Sequence, residues 1–214
     1  MFNESIDSRD SVLQHLRAEI HGKKLPSGTQ IDPADLASKL GVSTDVVREA
    51  VSGLKEEGLV ETSADGQQRV VVMTKRLAQE LIDLLGLLLV SAVDRLPEDF
   101  QENAPVVTAA KDFSAAVLQG QPNSENAFRT LAETFFAGSG NGELQRVGLP
   151  VIDRAMSILR LYDSTDLLPM WADAFEQLPE VLESSPKEAA RHMRVFFVYL
   201  VNEIEYSDAF SETQ

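Results

Sequence analysis

The side chains with the clearest chemical potential lie at the start of a predicted helix that follows Ser43. Apolar residues recur at helical spacing in this segment and define a buried face, so its polar residues must point outward. An outward arginine can donate two parallel hydrogen bonds to guanine or bind a phosphate. The pattern therefore predicts a contact with double-stranded DNA through Ser43, Thr44, Asp45 and Arg48, with Ser52 and Lys55 also outward.

Arg48 has a second interpretation. It can form an ion pair with Glu49, Glu56 or another surface acid, which would make it an ordinary surface residue. We favour the DNA role because the first turns of such a helix are the part that meets base edges in the major groove.

A predicted β-hairpin follows this helix. Two short extended runs, 59–61 and 69–73, flank Asp65 and a glycine, which is a typical hairpin turn. Gly66 at the tip either lets the backbone approach a narrow groove or satisfies a turn that needs positive φ, and sequence alone slightly favours the turn. Gln67 and Arg69 are expected to assist at the same tip.

The elements that position these residues read as a winged helix-turn-helix over residues 1–74. A first amphipathic helix is predicted from Asp7, which can cap it, to His21. A second helix is predicted over 33–40, between the capping residue Asp32 and Gly41. The third helix, after Ser43, completes the helix-turn-helix motif.

Residues 75–214 show helical patterns and no strand pattern, so the fold class is mainly α. We interpret this part as an all-helical effector-binding and dimerisation domain of about six helices. Pro- and Gly-containing breaks place the predicted helices at 75–95, 105–119, 124–137, 143–162, 166–183 and 186–206.

Composition limits the possible functions. The 214 residues include no cysteine, which excludes disulfides and thiolate metal sites and suits a cytoplasmic protein. The most apolar run, 81–93, is too short for a membrane span, so no membrane association is expected. The net charge is −15, and residues 1–74 carry 8 basic against 12 acidic side chains, which is unfavourable for DNA affinity.

Several short motifs resemble the DNA-binding domain of the GntR family, in order and at that family's spacing over residues 9–73. This resemblance implies a transcription regulator, expected to be a repressor, that binds a roughly palindromic operator as a homodimer and responds to a small molecule. The matching segments are 16–22, 25–28, 35–43, 47–50, Leu54 and 57–60.

The chain departs from the GntR pattern at two positions where that family usually has arginine. Ala34 and Thr44 stand there instead, and Asp45 adds an acid beside the expected groove. We therefore expect weaker DNA binding than is usual for the family. The alternative is a protein-interaction or dimerisation partner that has lost operator binding.

The segment 138–144 resembles a turn of the FCD-type C-terminal domain of the FadR subgroup. That resemblance places the subgroup's metal ligands at Phe128, Ala132, Phe175 and Phe196, the last two to within one residue. None of these is a ligand type, so we expect no metal and no cofactor.

The same positions leave two interpretations of the effector pocket. Either the pocket takes an apolar or acyl small molecule, or aromatic side chains fill it, which is the commoner role of aromatics at helical spacing. No phosphate loop or nucleophile–base pair indicates an enzyme. Candidate polar contacts for an effector are Arg129, Arg154, Arg160, Trp171 and Tyr199.

Overall fold

The computed structural model describes residues 8–72, 74–120, 124–159 and 175–206. The chain divides into two compact units, Met1–Met73 with Ser157–Tyr162 and Thr74–Met156 with Asp163–Gln214. The described residues form nine α-helices and one two-stranded sheet, so the mainly α fold class predicted from the sequence is confirmed. None of these helices is both long enough and apolar enough to cross a membrane.

The first unit is built on three helices, α1 (Arg9–His21), α2 (Pro33–Leu40) and α3 (Thr44–Glu56). Helices α1 and α2 both pack against α3. The Ser8 hydroxyl caps α1 by accepting a hydrogen bond from the backbone N–H of Ser11 at 3.3 Å, whereas the predicted cap, Asp7, lies outside the described residues. The core between the helices contains Val12, Leu16, Ile20, Leu36, Ala37, Val47, Ala50, Val51 and Leu54.

Helix α2 has the bounds that its flanking residues predict. The Asp32 carboxylate accepts hydrogen bonds from the backbone N–H groups of Ala34 and Asp35, and Pro33 occupies the first helical position, where no N–H is needed. Gly41 ends the helix with a φ of +71°, a conformation that glycine adopts without steric cost.

The predicted hairpin is present as strands β1 (Val60–Thr62) and β2 (Gln68–Val70), which pair antiparallel. The segment before α2 adds to this sheet through the backbone N–H of Ile31, which donates to the carbonyl oxygen of Gln68 at 2.8 Å. Three helices followed by this hairpin form a winged helix-turn-helix.

The second unit is helical throughout its described residues. Helix α4 packs against α9, and α5 packs against α6 and α8. The helix predicted over 166–183 lies partly outside the described residues, and its last part overlaps α8. The six helices are α4 (Lys75–Val93), α5 (Phe100–Leu118), α6 (Ser124–Gly138), α7 (Gly142–Leu159), α8 (Leu178–Ser184) and α9 (Pro186–Tyr206).

Helix α5 begins five residues before the predicted start at residue 105. The Asp99 carboxylate caps it by accepting from the backbone N–H groups of Gln101 at 2.7 Å and Glu102 at 3.3 Å. The helix then continues through Pro105. The predicted boundary was wrong because it placed Pro105 at the start of the helix and missed the capping signal of Asp99.

Candidate nucleic-acid interface

The cap and the core together fix the orientation of α3. The Ser43 hydroxyl accepts a hydrogen bond from the backbone N–H of Val46 at 3.3 Å, so helical structure begins at Thr44. One face of the helix is fully buried, which leaves the opposite face to solvent. The buried residues of that inner face are Val47, Ala50, Val51 and Leu54.

The outer face of α3 carries the residues that sequence reasoning singled out. Arg48 and Asp45 are exposed, as are Ser52 and Lys55, while Thr44 is half-buried. Arg48 Nη1 donates a hydrogen bond to Asp45 Oδ1 at 3.0 Å. The two side chains are 65% and 83% exposed, so solvent screens their attraction and the pair contributes little to stability.

The tip of the wing, residues 63–67, is ordered by its own hydrogen bonds. The Asp65 carboxylate accepts from the Ser63 hydroxyl and from the backbone N–H of Gln67, the latter at 3.3 Å. The Ser63 hydrogen bond is the largest cause that holds the pKa of Asp65 below its ordinary value, and the Gln67 N–H is the second. Gly66 has a φ of +82°, which favours the interpretation that its turn requires glycine.

Two side-chain contacts join the wing strands to each other and to α3. Arg69 Nε donates to Glu61 Oε1 at 2.7 Å across the hairpin, which leaves the predicted wing residue Arg69 half-buried. Lys55 Nζ donates to the Thr62 hydroxyl at 2.8 Å and so ties the outer face of α3 to β1. The sequence analysis did not foresee this last contact. An open cleft beside the tip is lined by Gly28, Gln30, Ser63, Ala64, Asp65, Gln67 and Arg69.

In the second unit, the predicted effector positions fall into two groups. Phe128 and Phe175 are brought together by Phe113, whose ring centroid lies 5.4 Å from the first and 5.1 Å from the second. Phe196 meets Phe175 edge-on at 5.6 Å. Ala132 is fully buried one turn after Phe128. The sequence analysis missed Phe113, although its spacing from buried alanines and valines in the same helix indicates a core position.

Three of the predicted polar contacts, Arg129, Arg154 and Tyr199, are exposed. Arg129 makes two hydrogen bonds to Asp153, at 2.7 and 3.2 Å, and a further ion pair with Glu133, and these carboxylates raise its pKa. Arg154 is exposed, and Tyr199 is 51% exposed. The two remaining candidates, at 160 and 171, lie outside the described residues.

Comparison with known protein families finds a match within the first unit. Residues 8–69 match the model of the bacterial regulatory proteins of the gntR family. These residues are a gntR-family domain. No curated protein sequence matches the chain.

Several solved structures are similar to this one in fold but share little sequence with it. A protein of Rhodococcus sp. RHA1 assigned as a GntR transcriptional regulator is 17% identical, with a TM-score of 0.63, over 93% of this chain and 98% of that one. Lar, which controls expression of the Listeria monocytogenes agr system, is 16% identical, with a TM-score of 0.63, over 94% and 97%. E. coli McbR/YncC is 19% identical, with a TM-score of 0.57, over 93% and 98%. The likeness shows a shared fold that extends beyond the gntR-family domain.

Proposed function

We propose that this protein is a DNA-binding transcription regulator that represses by occupying an operator as a homodimer. The observation that carries the proposal is the outer face of α3. Within a gntR-family domain, this face presents Arg48, Ser52 and Lys55 to solvent while the opposite face is sealed in the core. Such a helix can lie in the major groove with its first turns against base edges.

The wing suits a second contact beside the helix. Its tip exposes Gly66 and Gln67, and the hydrogen bonds of Asp65 hold the turn in one conformation before any partner arrives. The Lys55–Thr62 hydrogen bond holds strand β1 of the hairpin against helix α3. A preformed surface loses less conformational entropy on binding, which favours affinity.

The homodimer is supported by apolar side chains that remain exposed on two neighbouring helices of the second unit. Leu84 and Leu87 lie three residues apart on α4, and Leu87 is 63% exposed. Helix α9, which packs against α4, exposes Val195 and Val198 to a similar degree. A second copy of the chain would cover this apolar surface, as exposed patches of this kind commonly mark protein–protein interfaces.

We propose that the second unit belongs to the FadR subgroup, because of its helical architecture and its 138–144 turn. We also propose that the centre of this unit is filled by side chains. The tilted and edge-on contacts among Phe113, Phe128, Phe175 and Phe196 give each ring an aromatic neighbour. An apolar or acyl effector would have to displace these rings. We therefore expect acyl compounds to leave the melting temperature and the DNA affinity unchanged, as measured by thermal shift and fluorescence anisotropy.

The DNA-binding proposal is tested by selection from a randomised duplex pool at low salt, followed by anisotropy titration of the enriched sequence. Arg48→Ala should weaken binding by about ten-fold or more, the cost of one bidentate base contact. The matched control is Arg146→Ala, because Arg146 forms a similar exposed pair with Glu143 three residues earlier but lies in the second unit. Absence of any enriched sequence for the wild type would overturn the proposal and favour a protein-interaction role.

The homodimer is tested by light scattering coupled to gel filtration. Leu87→Glu combined with Val195→Glu should shift the protein from dimer to monomer, because two charges would have to be buried in the interface. Val147→Glu is the control, since Val147 is 46% exposed on α7, outside the α4–α9 face. A monomeric wild type, or a dimer unaffected by the double substitution, would contradict this part of the proposal.

A further inference from the structure

We propose that Asp45 makes the α3 surface select cytosine at the base pair next to the guanine that Arg48 contacts. The inference rests on the proposed function, because it assumes that α3 enters the major groove. It assigns a specificity role to the residue that otherwise looks least suited to DNA.

The hydrogen-bonding capacity of a carboxylate limits the bases that Asp45 can contact. An ionised aspartate can only accept, while the major-groove edges of guanine and thymine present acceptors, and phosphates are acceptors that also carry negative charge. Only the amino groups of cytosine and adenine can donate to it there. Adenine also places its N7 acceptor beside that amino group, which repels a carboxylate, so cytosine is the better partner.

The geometry of the Asp45–Arg48 pair leaves atoms of both side chains available to DNA. The ion pair uses Asp45 Oδ1 and Arg48 Nη1, 3.0 Å apart. The other carboxylate oxygen can still accept, and the Nε–Nη2 edge of the guanidinium can still donate to guanine O6 and N7. Because stacked base pairs are about 3.4 Å apart, two groups at this separation can face neighbouring base pairs.

Asp45 lies in the first turn of α3, three residues before Arg48, so both side chains occupy the same outer face. Their hydrogen bond restricts the rotation of a long arginine before DNA arrives. The pair thus presents an acceptor and a pair of donors as one unit, which matches a cytosine beside a guanine.

A different explanation is that Asp45 only stabilises the start of the helix. A carboxylate in the first turn interacts favourably with the helix N-terminus whatever the DNA sequence. This purely structural role predicts that replacing Asp45 changes stability and leaves base preference unchanged, so the two explanations are distinguishable.

The test compares the sequences enriched from a randomised duplex pool by the wild type, Asp45→Asn and Asp45→Ala. The wild type should require cytosine at one position of each half-site, with about 5- to 150-fold discrimination against guanine or thymine. Asp45→Asn should move that preference to adenine, because asparagine bonds to adenine N6 and N7 together. Asp45→Ala should lose the preference while it keeps the adjacent guanine.

Glu49→Gln is the matched control, since Glu49 is an exposed acid of the same helix outside the Asp45–Arg48 pair. It removes one negative charge, so it should strengthen binding to all sequences and keep the cytosine. Thermal melting confirms that each variant folds. An identical enriched sequence for the wild type and both Asp45 variants would overturn the inference and leave the proposed function intact. No enriched sequence for the wild type would remove both.

Discussion

At the residue scale, an acid lies next to each arginine of residues 8–72. Arg9, Arg17, Arg48 and Arg69 form ion pairs with Asp10, Glu57, Asp45 and Glu61. Most of these pairs are exposed enough for water and salt to weaken them, so they can exchange partners at little cost. In the proposed complex a phosphate would have to compete with a carboxylate for these arginines, so binding would depend on well-matched bases more than on charge.

The hydrogen bond from Ser63 to Asp65 at the wing tip leads to a testable prediction. Ser63→Ala removes the largest cause that lowers the pKa of Asp65, so this pKa should rise towards its ordinary value. Because the folded pKa of Asp65 is depressed, its charged form stabilises the wing above the ordinary pKa, and this stabilisation is lost as pH falls through the folded value. NMR titration of the Asp65 carboxyl carbon measures the rise in its pKa. The amide signal of Gln67 reports the loss of the wing's hydrogen bond as the pH falls.

The control for the wing prediction is Ser52→Ala, which removes an exposed hydroxyl from α3. It should leave the titration of Asp65 unchanged. An Asp65 pKa that is the same in the wild type and in Ser63→Ala would show that the Ser63 hydroxyl does not hold the carboxylate.

At the element scale, one glycine permits the close packing of α4 on α9. A Cβ at Gly86 would lie 2.7 Å from Cγ of the Phe197 ring, well inside contact distance. The ring is held in turn by Phe196, whose centroid is 5.4 Å away. The glycine therefore sets how near the two helices approach, although it lowers the intrinsic helix propensity of α4.

We expect Gly86→Ala to destabilise the protein, because the overlap with Phe197 outweighs the gain in helix propensity. Overpacking costs about 1–3 kcal/mol, whereas alanine gains about 1 kcal/mol over glycine in a helix interior. The difference is measured by urea unfolding. Gly142→Ala, at the start of α7, is the control, since nothing lies within 4 Å of its added Cβ. A Gly86→Ala variant as stable as the wild type would show that the helices can move apart freely.

Elements with clear local signals were the ones that the sequence predicted well. Asp32, Pro33 and Gly41 define α2 without help from the rest of the chain, and Asp65 with Gly66 defines the hairpin turn. The start of α5 was missed because the helix was predicted to begin at Pro105 and the cap at Asp99 was overlooked. Local chemistry was sufficient to predict an element's bounds where the neighbouring signals indicated the same boundary.

The candidate site was less predictable because its partners depend on tertiary structure or on a choice among several acids. Arg48 had more than one carboxylate within reach, and its partner is Asp45, which the three-residue helical spacing allows but does not select. The Lys55–Thr62 contact exists only once the hairpin has folded against α3. The aromatic cluster joins α5, α6 and α9, and no local pattern specifies that meeting.

At the scale of the whole molecule, the proposed function requires a protein of net charge −15 to bind a polyanion. Helix α3 carries two basic and three acidic side chains, so one copy neutralises few phosphates and releases few counterions, which gives little affinity. Two copies joined through the α4–α9 face would bind two half-sites about 34–36 Å apart, one turn of the duplex. The second contact then becomes intramolecular, which can raise the overall affinity by about 100- to 10,000-fold.

This reasoning predicts that operator affinity depends on the apolar face of the second unit, which need not touch DNA. Leu87→Glu with Val195→Glu should weaken binding to a palindromic duplex by about 100-fold or more. Binding to a duplex that carries one half-site should be equally weak for the variant and the wild type, because only one helix engages it. Val147→Glu should bind both duplexes like the wild type. If the double variant is monomeric yet binds the palindrome as tightly as the wild type, a single α3 surface supplies the affinity and the acidic balance is no obstacle to it.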